Sequence, residues 1–126
     1  MRDNKLRTLW ADGNPAINGW LAVPNGFSAE VMGHPGWDTL TIDMQHGLID
    51  EGALLTMLQA LQSTPAMPVV RAPWLDPAPL MKILDAGAQA LICPMVNTRE
   101  DAQRLVAYTH YAPRGGRSFG PVRAGL

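Results

Sequence analysis

A single cysteine, Cys93, stands among 126 residues, so the chain cannot close a disulfide on itself. A lone thiol fits a reducing compartment, and a cytoplasmic protein is the expectation. An excess of one charge is missing too: 10 Lys and Arg stand against 11 Asp and Glu, a net of −1. That balance provides no field to gather nucleic acid or an anionic membrane surface, and neither is expected as a partner. No apolar run approaches the roughly 20 residues of a membrane-spanning helix. The first 14 residues mix charges with Leu and Trp and lack the apolar core of a signal peptide. There is no His/Cys cluster at zinc spacing, no dinucleotide-binding glycine pattern and no P-loop. The four tryptophans, Trp10, Trp20, Trp37 and Trp74, are dispersed and read as packing residues.

What is present is a repeated unit: a short apolar run, a polar or Gly/Pro-rich turn, then a helical stretch. The apolar runs are Trp20–Val23, Thr39–Ile42, Pro68–Val70 and Ala90–Cys93. They read as strands buried on both faces, which lose the in/out alternation of a half-exposed strand. Asp76 before Pro77 marks a helix start, with Leu80, Ile83 and Leu84 on one face and Gly87 as the stop. Thr98 and Asp101 resemble a capping box before Leu105 and Val106 as a buried face. Asp50 can cap a helix whose inner face is Leu54, Leu55, Leu58 and Leu61. Shorter helices are expected over residues 28–33 and 5–11. Four strand–helix units imply an α/β fold with a parallel sheet and right-handed crossovers. An open doubly wound sheet and part of a closed barrel both satisfy that pattern. Residues 112–126, rich in Gly, Pro and Arg, have no period and read as a loop-like tail of a single domain.

Chemistry in parallel α/β folds sits at the C-terminal ends of the strands. There the sequence places Asp43, Gln45 and His46 after the second run and Arg71 after the third. An imidazole moves protons near neutral pH, and a neighbouring carboxylate raises its basicity. A guanidinium binds a carboxylate in a fork or stabilises charge on an oxygen. Each residue also has a plainer reading: a loop histidine, a turn aspartate, a paired loop cation. Asp85 sits near a helix C-terminus, where the helix dipole disfavours it. The segment from Pro113 to Gly120 offers backbone amides and arginines to an anion, or is a flexible loop.

Five motifs then occur in order: Asp43-Met44-Gln45-His46-Gly47, Arg71-Ala72-Pro73-Trp74, Leu84-Asp85-Ala86-Gly87-Ala88, Cys93-Pro94-Met95-Val96-Asn97-Thr98, and the Pro113-Arg114-Gly115 to Phe119-Gly120 loop. Together they resemble the class II 2-oxo-acid aldolases of the 4-hydroxy-2-oxoheptanedioate and 2-keto-3-deoxy-rhamnonate type, phosphoenolpyruvate/pyruvate-binding barrels. A complete barrel needs about 250 residues. The resemblance therefore implies the first half, about four strands, of a TIM-type barrel. It implies reversible cleavage of a 4-hydroxy-2-oxo acid to pyruvate and an aldehyde. It implies proton transfer by His46, enolate and substrate binding by Arg71, support of His46 by Asp85, and Asp43 in the same network. Gln45 stands where many members carry Glu, as a substrate-binding position. The resemblance also implies a divalent metal, Mg²⁺, Mn²⁺ or Co²⁺, whose Glu and Asp ligands lie in the family's second half. No metal ligand is therefore assigned in this chain. A homo-oligomer, commonly a hexamer, is implied as well. The competing expectation is a non-catalytic α/β domain acting through self-association.

Overall fold

The computed structural model describes residues 3–125. Nine elements alternate as expected: α1 (Lys5–Ala11), β1 (Asn18–Leu21), α2 (Gly26–Met32), β2 (Thr39–Asp43), α3 (Glu51–Leu61), β3 (Met67–Arg71), α4 (Pro77–Asp85), β4 (Ala90–Ile92) and α5 (Arg99–Thr109). Short polar side chains start the helices. Asn4, Asn25, Asp50, Asp76 and Thr98 each accept a backbone N–H of the first turn. Thr98 and Asp101 complete the capping box. Gly87, at φ 105°, supplies the left-handed residue beyond α4 that a side chain would resist.

The strands lie in the order β1-β2-β3-β4, and every pair is parallel. A doubly wound sheet reverses its order at a switch point. This sheet does not reverse, so right-handed crossovers carry the helices after the strands to one face. That is the progression of a barrel wall.

Alternate residues of each strand serve the two faces. Leu21, Leu40, Ile42, Val70 and Ala72 meet Ala29, Leu54, Met57, Leu58, Leu61, Leu80 and Ile83 in one apolar layer. On the inner face the register aligns Asn18 with Thr39 and Met67, then Trp20 with Thr41, Val69 and Ala90, then Asp43 with Arg71 and Ile92. Asn18 Oδ1 accepts both threonine hydroxyls, at 2.7 and 3.0 Å. Leu6 of α1 packs on Met67 and Val69 at the end where the strands begin.

Several expectations shift. β1 begins two residues early, because Asn18–Leu21 is the stretch that pairs with Thr39–Ile42. Val23 falls in the following loop and is exposed. α2 starts at Gly26 because Asn25, rather than a residue nearer 28, caps it. On α3 the inner position after Leu54 is Met57, one helical turn on, and Leu55 points to solvent. No residue of α5 is fully buried, and Val106 is exposed. Leu105 and Tyr108 pack partly against the apolar layer instead.

Candidate active site

Asp43 ends β2 on the inner face and is only 3% exposed. Its Oδ1 accepts the backbone N–H of Gln45 at 3.0 Å and of His46 at 3.2 Å, folding the next three residues into a tight turn. The same oxygen accepts Arg71 Nε at 2.8 Å, and Oδ2 accepts Arg71 Nη2 at 2.6 Å. This is a two-point fork between register partners on adjacent strands. Trp20 of β1 donates its indole N–H to Oδ2 at 3.2 Å, and its ring lies 5.0 Å from the Arg71 guanidinium carbon. Three strand ends therefore converge on one carboxylate. Arg71 above all, then the Trp20 and backbone donors, hold Asp43 far below the usual carboxylate range against the opposing cost of burial. The paired carboxylate in turn raises Arg71.

The turn leaves Gln45 half-buried and His46 exposed. Gly47 follows because nothing larger fits: a Cβ there would lie 2.3 Å from the Asp43 carbonyl oxygen and 3.2 Å from Ala22 Cα. Leu48 N–H then bonds Ala22 O at 3.1 Å, tying the His46 loop to the end of β1. Arg71 spends Nε and Nη2 on Asp43. Its Nη1 makes no hydrogen bond among the described residues and remains a donor at the rim. Burial pushes the Cys93 thiol up, which leaves it protonated at neutral pH and a poor nucleophile.

Asp85 is elsewhere. It closes α4, which runs back from the C-terminal to the N-terminal end of the sheet, and β4 starts five residues later. Its Oδ1 accepts Arg117 Nη2 at 2.5 Å, and its backbone carbonyl accepts Arg123 N–H. Among the described residues no hydrogen bond or ion pair joins it to His46. The structure thus brings Asp43, Arg71, Gln45 and His46 to one rim and places Asp85 at the opposite pole. A cavity of about 540 Å³ also opens at that pole, lined by Arg7, Gln62, Gln89, His110 and Arg123, away from the convergent residues.

The segment from Pro113 to Gly120, open to reading as an anion cradle or a flexible loop, turns several of its donors to internal contacts. The N–H groups of Arg114 and Gly115 bond Tyr111 O, that of Gly116 bonds Ala107 O, and that of Arg117 bonds His110 O. Arg117, with its side chain 9% exposed, pairs with Asp85 and stacks on Tyr111 at 4.6 Å. The described residues of the tail form no helix or strand, yet these bonds fasten it beneath α4 and α5.

Among the described residues no group of three His, Cys, Asp or Glu side chains can hold a metal. At the rim both Asp43 oxygens are taken by Arg71, Trp20 and backbone donors, so among the described residues there His46 and Gln45 are the remaining candidate ligands. These residues do not by themselves fit a divalent cation, which needs carboxylate oxygens.

Residues 17–123 match the family described as HpcH/HpaI aldolase/citrate lyase. The chain is 50% identical over 123 residues to the hydroxypyruvate/pyruvate aldolase of Rhizorhabdus wittichii, covering 98% of this chain and 49% of that protein. It is 43% identical over 121 residues to the 4-hydroxy-2-oxo-heptane-1,7-dioate aldolase of Salmonella dublin, covering 96% and 46%. A crystal structure of an HpcH/HpaI aldolase/citrate lyase family protein from Burkholderia cenocepacia superposes with a TM-score of 0.90 at 31% identity, over 98% of this chain and 52% of that one. The chain spans about half the length of the curated relatives it matches. Its parallel strands in sequential order are the first half of a TIM-type barrel, and the chain belongs to the HpcH/HpaI aldolase/citrate lyase family.

Proposed function

We propose that the protein to which this chain contributes its first barrel half reversibly cleaves a 4-hydroxy-2-oxo acid into pyruvate and an aldehyde. One observation carries the reading: Asp43 grips Arg71 in a fork that leaves Nη1 as a donor at the strand ends, beside the loop bearing His46. Two relatives, named hydroxypyruvate/pyruvate aldolase and 4-hydroxy-2-oxo-heptane-1,7-dioate aldolase, support it.

Cleavage removes the proton of the 4-hydroxyl, breaks the C3–C4 bond and sends the electron pair to the C2 oxygen. The aldehyde departs and an enolate remains. Arg71 faces that oxygen with a fixed positive charge, and electrostatic stabilisation of this kind supplies about 3 kcal/mol. His46 moves the proton, finally delivering it to C3 to form the methyl group of pyruvate. Gln45 offers an amide to the substrate oxygens. Asp85 enters this reading only through a contact that a single chain does not make, from another copy in a homo-oligomer. The reading includes a divalent cation (Mg²⁺, Mn²⁺ or Co²⁺) that would polarise the 2-oxo acid, with carboxylate ligands supplied from outside this chain.

The test is pyruvate release from 4-hydroxy-2-oxo acids by the full-length protein. His46→Ala and Arg71→Ala should each lower kcat about 100-fold or more, the scale of losing one transition-state donor. Unchanged rates in both variants would remove the role assignments.

A further inference from the structure

Trp20 is a large aromatic side chain on the inner face at a strand end, and it remains 45% exposed. A core tryptophan would be covered. This one instead touches both members of the ion pair: its N–H reaches Asp43 Oδ2 at 3.2 Å, and its ring faces Arg71 at 5.0 Å. A fork fixes a guanidinium in its own plane but lets it tilt about the line joining the two carboxylate oxygens. A ring face against the same guanidinium removes that tilt. The indole N–H meanwhile holds the Oδ2 that takes the 2.6 Å bond from Nη2. Ring and N–H therefore restrain the one group, Nη1, that the fork leaves uncommitted.

We propose that Trp20 is a positioning residue for Arg71: by stacking on the guanidinium and bonding its carboxylate partner, it aims Nη1 at the oxygen that gains charge. The proposal rests on the aldolase reading for its chemical consequence, though not for the geometry it claims. Misplacing a reacting group by about 1 Å costs on the order of 100-fold in rate, so orientation at this point governs kcat.

The experiment uses the full-length protein with Trp20→Phe, Trp20→Leu and, as a control on the remote α1 helix, Trp10→Phe. Two quantities are read: kcat and KM for pyruvate release, and the rate at which phenylglyoxal modifies Arg71, followed by peptide mass mapping. Trp20→Phe keeps a ring face and loses the N–H; its kcat should fall about threefold to tenfold, the scale of one ordinary hydrogen bond. Trp20→Leu loses both contacts and should fall further, with KM changing less than kcat. Arg71 should react with phenylglyoxal fastest in Trp20→Leu, next in Trp20→Phe, and equally slowly in wild type and Trp10→Phe. If Trp20→Leu fails to fold, Trp20→Phe decides. Wild-type kcat/KM and wild-type Arg71 reactivity in the Trp20 variants would overturn the proposal. If the wild-type protein releases no pyruvate, the aldolase reading falls, and the Arg71 modification rates still decide whether Trp20 restrains the guanidinium.

Discussion

Replacing Asp43 by Asn keeps the size of the side chain and removes the charge shared by Arg71, Trp20 and two backbone amides. Arg71, partly exposed at the rim, then loses its partner, while the four donors around the buried Asp43 position lose a charged acceptor. Urea denaturation of Asp43→Asn in the full-length protein should show a lowered midpoint. The pH dependence has a definite sign. The folded-state pKa of Asp43 is depressed, so its stabilisation is fully present above the unfolded carboxylate value of about 4. It declines as pH falls below that value, toward the depressed folded pKa. Wild-type stability should therefore drop more steeply below about pH 4 than that of Asp43→Asn. At this scale the sequence was partly legible. Asp43, Gln45, His46 and Arg71 were found from their position after apolar runs, and the structure gathers them at one rim. Trp20 was missed because dispersed tryptophans carry no local pattern; only the register that aligns β1 with β2 shows it beside Asp43. The place of Asp85 was hidden for a related reason. Sequence distance from a strand does not say at which pole a crossover helix ends.

Between residue and fold stand the caps and the loops they set. Asp50, Asp76 and Thr98 were all readable as helix starts, because a cap depends on the residues within one turn of it. Asp76→Ala removes the acceptor for Ala78 N–H and should lower stability by about 1 kcal/mol in a denaturant titration. The boundaries of β1 and the inner face of α3 were misread because burial is decided by what packs across. Leu55 is as apolar as Leu54, but it lies a residue off the buried stripe that continues at Met57. The loop carrying His46 makes a sharper case. Gly47→Ala brings a methyl group within 2.3 Å of the Asp43 carbonyl oxygen, a rigid neighbour, with Ala22 backbone behind it. The loop must move to relieve that contact, and His46 moves with it. Gly47→Ala in the full-length protein should lower kcat for pyruvate release at least tenfold while adding no group to the site. An unchanged kcat would show that the position of the loop does not matter to the chemistry.

The order of the strands belongs to the whole molecule and was not legible in any segment. The period of four βα units allows a doubly wound sheet or a barrel wall; the five motifs taken together implied the barrel, and the long-range pairing shows it. The consequence is a sheet with one face covered by helices and one face only partly covered. On the inner side Leu6 shields Met67 and Val69, while Trp20 and Ile92 stay exposed. The edges β1 and β4 each have a row of backbone groups without a strand partner among the described residues. Exposed parallel edges of this kind pair with other chains. Residues 1–126 expressed alone should therefore associate as concentration rises, by light scattering, and should unfold at a temperature that depends on concentration. They should release no pyruvate with any of the three metals, because the rim lacks the carboxylates a cation needs. A compact monomer with a sharp, concentration-independent transition would mean that this half of the wall buries enough of itself to stand alone. That result would favour a stand-alone domain over the half-barrel as the working unit. Pyruvate release from the isolated chain would go further, placing the entire catalytic apparatus in Asp43, His46 and Arg71.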